Sequence, residues 1–270
     1  MVRVQLFGAF AMECGQQQGA MLRANARPLA SYVCSFPNVW HHREKILDLF
    51  WREVEPERAR ALLSKASWRI RELLTLQSSL DMRLDSTFNE VRLEIANTSV
   101  VDVHRFRAAA RVLDLKTATL DVEAIQCAVN LYNAPFLEDR DDDWVLQERE
   151  TLKSVYLYLL SVLMRTYVNM ERAEHAIVCG RRILACDPLR ESVHRLVMLL
   201  YVVNSQRGAA LLQFERCRKA LRDECDIEPM PRTHSLVKIM RSEEIWDRVP
   251  ELIQKELSSW RDLGPPPYPW

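Results

Sequence analysis

From Val101 onward apolar residues recur at the spacing of a helix. The pattern is interrupted at Asn133-Ala-Pro135, at the acidic run Glu138 to Asp143, at Asp187-Pro188 and at Glu228-Pro229. Most of the chain is thereby committed to helices. One is predicted from Trp144 to about Val168, with Asp143 as its N-cap. Asn169-Met-Glu-Arg172 opens another that ends near Cys186, and Asn204-Ser-Gln-Arg207 opens a third that ends near Cys225. Asn169 and Asn204 lie 35 residues apart, as do Arg172 and Arg207, so a turn followed by a helix occurs twice as an internal repeat. Repeats of this kind cannot bury their apolar faces singly. They stack, and the stack offers a concave surface to a protein or peptide.

The first hundred residues have a different period. Residues 3 to 14 alternate apolar and polar side chains, and Gly15-Gln16-Gln17-Gln18-Gly19 interrupts the run before Met21-Leu22, the pattern of a small antiparallel sheet with a turn. A helix is predicted from about Ala26 to Phe36, stopped by Pro37, and a second from Arg43 to Trp51 with Ile46, Leu47, Phe50 and Trp51 on one face. The third runs from Pro56, favoured in a first turn, to Leu74. On it Leu62, Leu63, Ala66, Ile70, Leu73 and Leu74 share one arc, and Arg58, Arg60, Ser64, Lys65, Trp68, Arg69 and Arg71 take the rest of the circumference. Met82-Arg83-Leu84-Asp85 and Val91-Arg92-Leu93-Glu94 then alternate around Ser86 to Asn89, which predicts a β-hairpin. Sheet, three helices and hairpin follow one another in the order of a winged helix.

Composition removes several classes of function. Six glycines in 270 residues leave no glycine-lined phosphate loop, and no G-x-S-x-G, H-E-x-x-H or P-loop arrangement occurs, so no active site, cofactor site or metal site is expected. The acidic run fits no calcium loop and is read as solvated. Seven cysteines without a C-x-x-C pair are read as reduced thiols, mostly buried. No stretch approaches 18 consecutive apolar residues, and no signal-peptide block opens the chain, so a cytoplasmic protein without membrane contact is expected. Residues 1 to 100 carry 13 Lys and Arg against 11 Asp and Glu, which predicts weak binding to phosphate by a single copy. His41 and His42 are read as surface histidines.

Val4-Gln-Leu-Phe-Gly-Ala-Phe10, Leu47-Asp-Leu-Phe-Trp51, Pro56-Glu-Arg-Ala-Arg60 and Ser67-Trp-Arg-Ile-Arg-Glu-Leu-Leu74 resemble the winged-helix domain of the antibiotic regulatory protein (SARP) family. Leu131-Tyr-Asn-Ala-Pro-Phe-Leu137, Asp143-Trp144, Asp187-Pro-Leu-Arg-Glu191, His194-Arg-Leu196 and Cys225-Asp-Ile-Glu-Pro229 resemble the TPR-like bacterial transcriptional activation domain that follows it in that family. Ser64 stands where the family often has an arginine, and Trp68 where a small polar residue is usual.

The resemblance implies a mainly α, two-domain bacterial transcription regulator. The winged helix would span residues 1–98, the activation domain 99–246, and a C-terminal helix with a Pro-rich tail 247–270. The third helix would enter the major groove and the hairpin the adjacent minor groove. Arg58, Arg60, Ser64, Lys65, Trp68, Arg69, Arg71, Arg83 and Arg92 would then contact DNA. The implied partners are double-stranded promoter DNA with tandem repeats, RNA polymerase holoenzyme and a second copy of the chain on DNA. A different class of function, a protein-interaction adaptor whose winged helix has lost DNA affinity, is suggested by the neutral net charge, Ser64 and Trp68.

Overall fold

In the computed structural model, which describes residues 2–14, 22, 25–76, 82–97, 100–114 and 121–260, the alternation in the first fourteen residues folds back on itself. Strand β1 (Val2–Gln5) pairs antiparallel with β2 (Ala11–Cys14), Val4 facing Met12. The reversal therefore falls within residues 6–10, where Gly8 adopts φ +88°, a conformation open to glycine. The expected interruption at 15–19 lies outside the described residues.

Chain contacts divide the protein into two units, residues 1–115 with 130–150, and residues 116–129 with 151–270. In the first, α1 (Arg27–Ser35), a short strand β3 (His41–His42), α2 (Arg43–Trp51), α3 (Pro56–Leu76), β4 (Met82–Ser86), β5 (Glu90–Ile95) and α4 (Asp102–Asp114) follow in order. The hairpin forms in the expected register, with Leu84 opposite Leu93, and β3 adds to it as an edge in the order β3-β5-β4. Helix α3 buries Leu63, Ala66, Ile70, Leu73 and Leu74. Together with Leu29, Ile46 and Leu93 these close the core of a winged helix.

The same unit has a second cluster around Phe7, whose ring meets Phe106 edge-on at 5.4 Å and Tyr132 at 4.9 Å. Asp102 holds this corner together. Its carboxylate accepts hydrogen bonds from the backbone N–H groups of Leu6 (2.9 Å) and Phe7 (3.0 Å). The N–H of Gly8 donates to the Pro135 carbonyl at 2.8 Å, and that of Leu137 to the Leu6 carbonyl at 2.9 Å.

The second unit is built of helices: most of α5 (Val122–Leu131), α6 (Asp143–Asn169) from Thr151, α7 (Ala173–Cys186), α8 (Glu191–Val203), α9 (Arg207–Cys225), α10 (Pro231–Met240) and α11 (Ile245–Ser258). The Asp142 carbonyl accepts the first helical bond of α6, from Leu146 N, so Asp143 stands in the first turn and not at the N-cap. Pairs α7–α8 and α9–α10 are successive helical hairpins. Their register is 34 residues, one fewer than the Asn and Arg identities indicate. Glu171 and Ser205 take matching left-handed turns, and Ala176/Ala210, Gly180/Phe214 and Ile183/Cys217 are buried in matching places. Burial defines a packing repeat, and Asn169 and Asn204 are surface turn residues free to drift by one. A Cβ on Gly180 would lie 2.4 Å from Val197 Cγ2, so glycine is what lets α7 approach α8.

Glu191, Arg195, Thr233 and Glu256 form a buried polar cluster joining α8, α10 and α11. Arg195 donates to Glu256 Oε1 (3.0 Å) and to Thr233 Oγ1 (3.0 Å), and Thr233 Oγ1 donates to Glu191. Burial raises the thiols of Cys34, Cys179 (to about 11) and Cys217 (to about 12), whereas Cys127 and Cys225 lie at the surface, against the expectation of buried thiols. The Pro-rich tail lies outside the described residues.

Candidate nucleic-acid interface

Helix α3 presents Arg58, Arg60, Ser64, Lys65 and Trp68 to solvent, whereas Arg69 and Arg71 are half-buried. The reason is the spacing of its apolar residues. Leu63, Ala66, Ile70 and Leu74 turn inward, which leaves the stripe 57, 61, 64, 65, 68 and 72 outward. Trp68 is 57% exposed, an apolar surface of a size that normally meets a partner.

The polar residues around this stripe are not equally available. Ser64 Oγ accepts from Arg43 Nη2 at 3.3 Å, and Arg60 Nη2 stands 3.5 Å from Glu44 Oε1, so the start of α2 steadies the middle of α3. The backbone N–H of Arg58 donates to Glu55 Oε2 at 3.1 Å, and its side chain is left exposed. Arg69 donates to the Asn25 side chain. Arg71 reaches the hairpin, with Nε donating to the Leu84 carbonyl at 3.0 Å and Nη2 to the Ser86 hydroxyl.

On the hairpin both candidate arginines are paired. Arg83 lies 2.8 Å from Asp85 and 2.6 Å from Glu94. Arg92 lies 2.9 Å from Asp85 and stacks over the Trp40 ring at 4.5 Å. The tip is uncharged from Ser86 to Asn89 and carries Phe88, 95% exposed. Arg83 is largely exposed, and ion pairs of that kind break at little cost when a phosphate offers a better acceptor, whereas the Arg92–Asp85 pair is mostly buried.

The two histidines ahead of α2 part company. His42 is exposed as expected, with Nε2 3.7 Å from Glu90. His41 is buried and not on the surface. It pairs through β3 with Val91, its Nε2 lies 3.1 Å from the Phe36 carbonyl, and burial holds its pKa below the usual histidine value. Sequence reasoning also passed over Arg43, Trp40 and Phe88. For Phe88 a signal existed, a large apolar residue in the middle of a hairpin turn; for Arg43 and Trp40 the partners are tertiary and left none.

Among the described residues no group of three or more His, Cys, Asp or Glu could hold a metal ion, and no helix is long and apolar enough to cross a membrane.

Residues 101–241 match the family model of the bacterial transcriptional activator domain. Transcriptional regulatory protein MoaR1 of Mycobacterium tuberculosis is 27% identical over 216 residues, covering 73% of this chain and 66% of MoaR1. Regulatory protein AfsR of Streptomyces griseus is 27% identical over 213 residues, covering 74% of this chain and 20% of AfsR. The matched region is thus under two thirds of either relative. The solved structure of Mycobacterium tuberculosis EmbR in complex with a low affinity phosphopeptide superposes with a TM-score of 0.67 at 18% identity, over 97% of this chain and 70% of EmbR, and shares the fold. MoaR1 is named a transcriptional regulatory protein and AfsR a regulatory protein. With its match to that model over more than half its length, the chain belongs to the bacterial transcriptional activator domain family.

Proposed function

We propose that the chain is a cytoplasmic, sequence-specific DNA-binding activator. Helix α3 enters the major groove of promoter DNA, the β4–β5 hairpin lies along the adjacent minor groove, and two copies sit side by side on tandem repeats. Recognition belongs to residues 1–98. Residues 99–246 contact RNA polymerase holoenzyme, and residues 247–270 carry a C-terminal helix and a Pro-rich tail.

One observation carries this reading: Arg71 ties α3 to the hairpin, so the groove-reading helix and the wing move as one piece while Ser64, Lys65 and Trp68 stay open beside them. Groove readers need that division of labour, because base edges are read by a few side chains held in fixed register by contacts around them. Arg58, Arg60 and the outward edges of Arg83 and Arg92 supply the phosphate contacts. Phe88 is a wedge of the kind that minor-groove binders insert at a base step.

Selection of bound duplexes from random DNA by the full chain tests the proposal. A recovered sequence with two repeats spaced by about one helical turn is expected. Recovery of no enriched sequence would instead support the adaptor reading, which the exposure of Trp68 and Phe88 and the paired wing arginines favour.

A further inference from the structure

The repeat register aligns Arg182 on α7 with Arg216 on α9, and the two arginines meet different fates. Arg182 is satisfied within the chain. It donates to the Tyr156 hydroxyl at 2.9 Å and to the Val129 carbonyl, in the last part of α5, at 2.9 Å. One repeat later, Arg216 is exposed and has no acceptor among the described residues; nearby Glu215 is engaged with Arg218 at 2.7 Å. Arg181, on the facing side of α7, is exposed and likewise without an acceptor there.

Arg181 and Arg216 line the same cavity of about 300 Å³ between α7 and α9, and its wall includes Leu184, Pro188 and Ala220. Two buried polar side chains, His194 and Gln213, complete it. Their hydrogen bonds fix an orientation. The Pro188 carbonyl, 2.9 Å from His194 Nε2, can only accept, so the proton of the neutral imidazole sits on Nε2. Nδ1 must then accept, from Gln213 Nε2 at 2.8 Å. Gln213 Oε1 is left as an acceptor, with no donor among the described residues. Burial and the nearby Arg216 both keep His194 neutral, which preserves this arrangement at pH 7.

We propose that the α7–α9 valley is the docking groove for an acidic peptide segment of a partner protein, its carboxylates held by Arg181 and Arg216, an apolar side chain on Leu184, Pro188 and Ala220, and a backbone N–H donated to Gln213 Oε1. The preceding repeat supplies the precedent within this molecule, because there the aligned arginine already grips the carbonyl of a packed segment of its own chain. Two cations beside an apolar wall and one acceptor suit a peptide better than a bare anion, which would use the arginines alone. The proposal rests on the reading of the second unit as the docking part.

The test pans a phage-displayed random dodecapeptide library on the immobilised full chain and measures labelled copies of the enriched peptides by fluorescence anisotropy, without DNA. Enriched sequences with Asp or Glu close to Leu or Phe are expected. Arg181→Glu with Arg216→Glu, and separately Ala220→Trp, which fills the valley without altering charge, should each weaken binding by about tenfold or more. All these positions are exposed or half-exposed, so thermal unfolding is expected to stay at the wild-type temperature. Enrichment of no acidic sequence, equal binding by the charge-reversed protein, or displacement of the peptide by a random DNA duplex would each overturn the proposal. Failure here counts against the groove, whereas run-off transcription that did not depend on residues 99–246 would count against the activation reading.

Discussion

Arg71 Nε donates to the carbonyl oxygen of Leu84 at 3.0 Å, so a guanidinium on the third helix braces the hairpin. Arg60 differs, being held among the described residues by Glu44 alone at 3.5 Å and largely exposed. Both substitutions to alanine should weaken DNA binding, by different routes. Arg60→Ala removes a counterion-releasing contact and should flatten the salt dependence by about one unit of slope. Arg71→Ala should lower affinity and the unfolding temperature and leave the slope unchanged. Titrations between roughly 50 and 200 mM salt separate the two, and an unchanged affinity across that range for the wild type would remove the electrostatic reading altogether.

Base preference should respond to a different set. Ser64, Lys65 and Trp68 form the open stripe of α3, and Phe88 caps the neutral wing tip. Alanine at any of the first three is expected to change the sequence recovered by selection. Phe88→Ala should lower affinity without changing the major-groove preference, since a wedge reads step deformability more than base edges. Fluorescence of 2-aminopurine placed along the site should locate the unstacked step with wild type and lose that signal with Phe88→Ala.

Much of this architecture was legible in the sequence, and the parts that were not share a cause. The start of α3 followed from Pro56, its face from Leu63, Ala66, Ile70 and Leu74, and the hairpin from plain alternation, because these are local consequences of covalent geometry. The strand reversal at residues 6–10 was hidden because Leu6 and Phe7 are both buried, one in a strand's continuation and one against Phe106, so no break in polarity marks the turn. The repeat register slipped by one because residue identity at Asn169 and Asn204 was a louder signal than burial at Ala176 and Ala210. At the interface, the sequence could list cations but not their partners. Arg58 and Lys65 are available, whereas Arg71, Arg83 and Arg92 are engaged by groups 2 to 15 residues away in the chain.

Acid should destabilise the first unit through His104. Its Nε2 donates to the Cys34 carbonyl at 3.0 Å, and burial lowers its pKa from 6.5 to about 4. Above pH 6.5 the group is neutral in both folded and unfolded chains, so its contribution is complete. Between pH 6.5 and 4 the unfolded chain takes up the proton first, and stability is lost, by up to about 3 kcal/mol. His41 and His194 are lowered as well and act in the same direction. Unfolding temperatures measured from pH 7 to 4 should fall, and His104→Gln, which keeps a donor for Cys34, should flatten the curve. An unaltered slope in that variant would rule His104 out as the source.

The buried cluster of α8, α10 and α11 makes Arg195 a point of failure for the second unit. Arg195→Ala removes the buried cation beside Glu256 and Glu191, leaving Glu256 with the half-exposed Arg232 at 2.9 Å and Glu191 with the Met230 N–H and the Thr233 hydroxyl, and should cost up to about 3 to 5 kcal/mol. Glu191→Gln, Arg195→Met and Glu256→Leu together remove the charges and should recover most of that loss. Urea denaturation of the two proteins is the comparison; equal destabilisation would mean that the cluster is held by shape alone.

The last prediction concerns where recognition can be cut from activation. A fragment ending at residue 98 retains α3 and the wing but loses the Asp102 carboxylate that satisfies Leu6 and Phe7, and with it the Phe106 and Tyr132 side chains of the cluster around Phe7. Exposing a buried phenylalanine and two backbone donors costs roughly 2 to 5 kcal/mol, a large fraction of a small domain's stability. A fragment ending at residue 150 keeps the whole of that cluster. The longer fragment should therefore unfold at a higher temperature and bind the selected duplex more tightly than the shorter, although the side chains proposed to touch DNA are common to both. Relative to the full chain, both should bind more weakly if residues beyond 150 help pair two copies, since linking two sites raises avidity about a hundredfold or more without a new base contact. Transcription should fall further than occupancy. Run-off assays with purified polymerase, at concentrations of the 150-residue fragment that saturate the promoter, remove occupancy as an explanation; full activation there would show that α6 to α11 are not the activating surface, and the polymerase contact proposed for them would have to be given up.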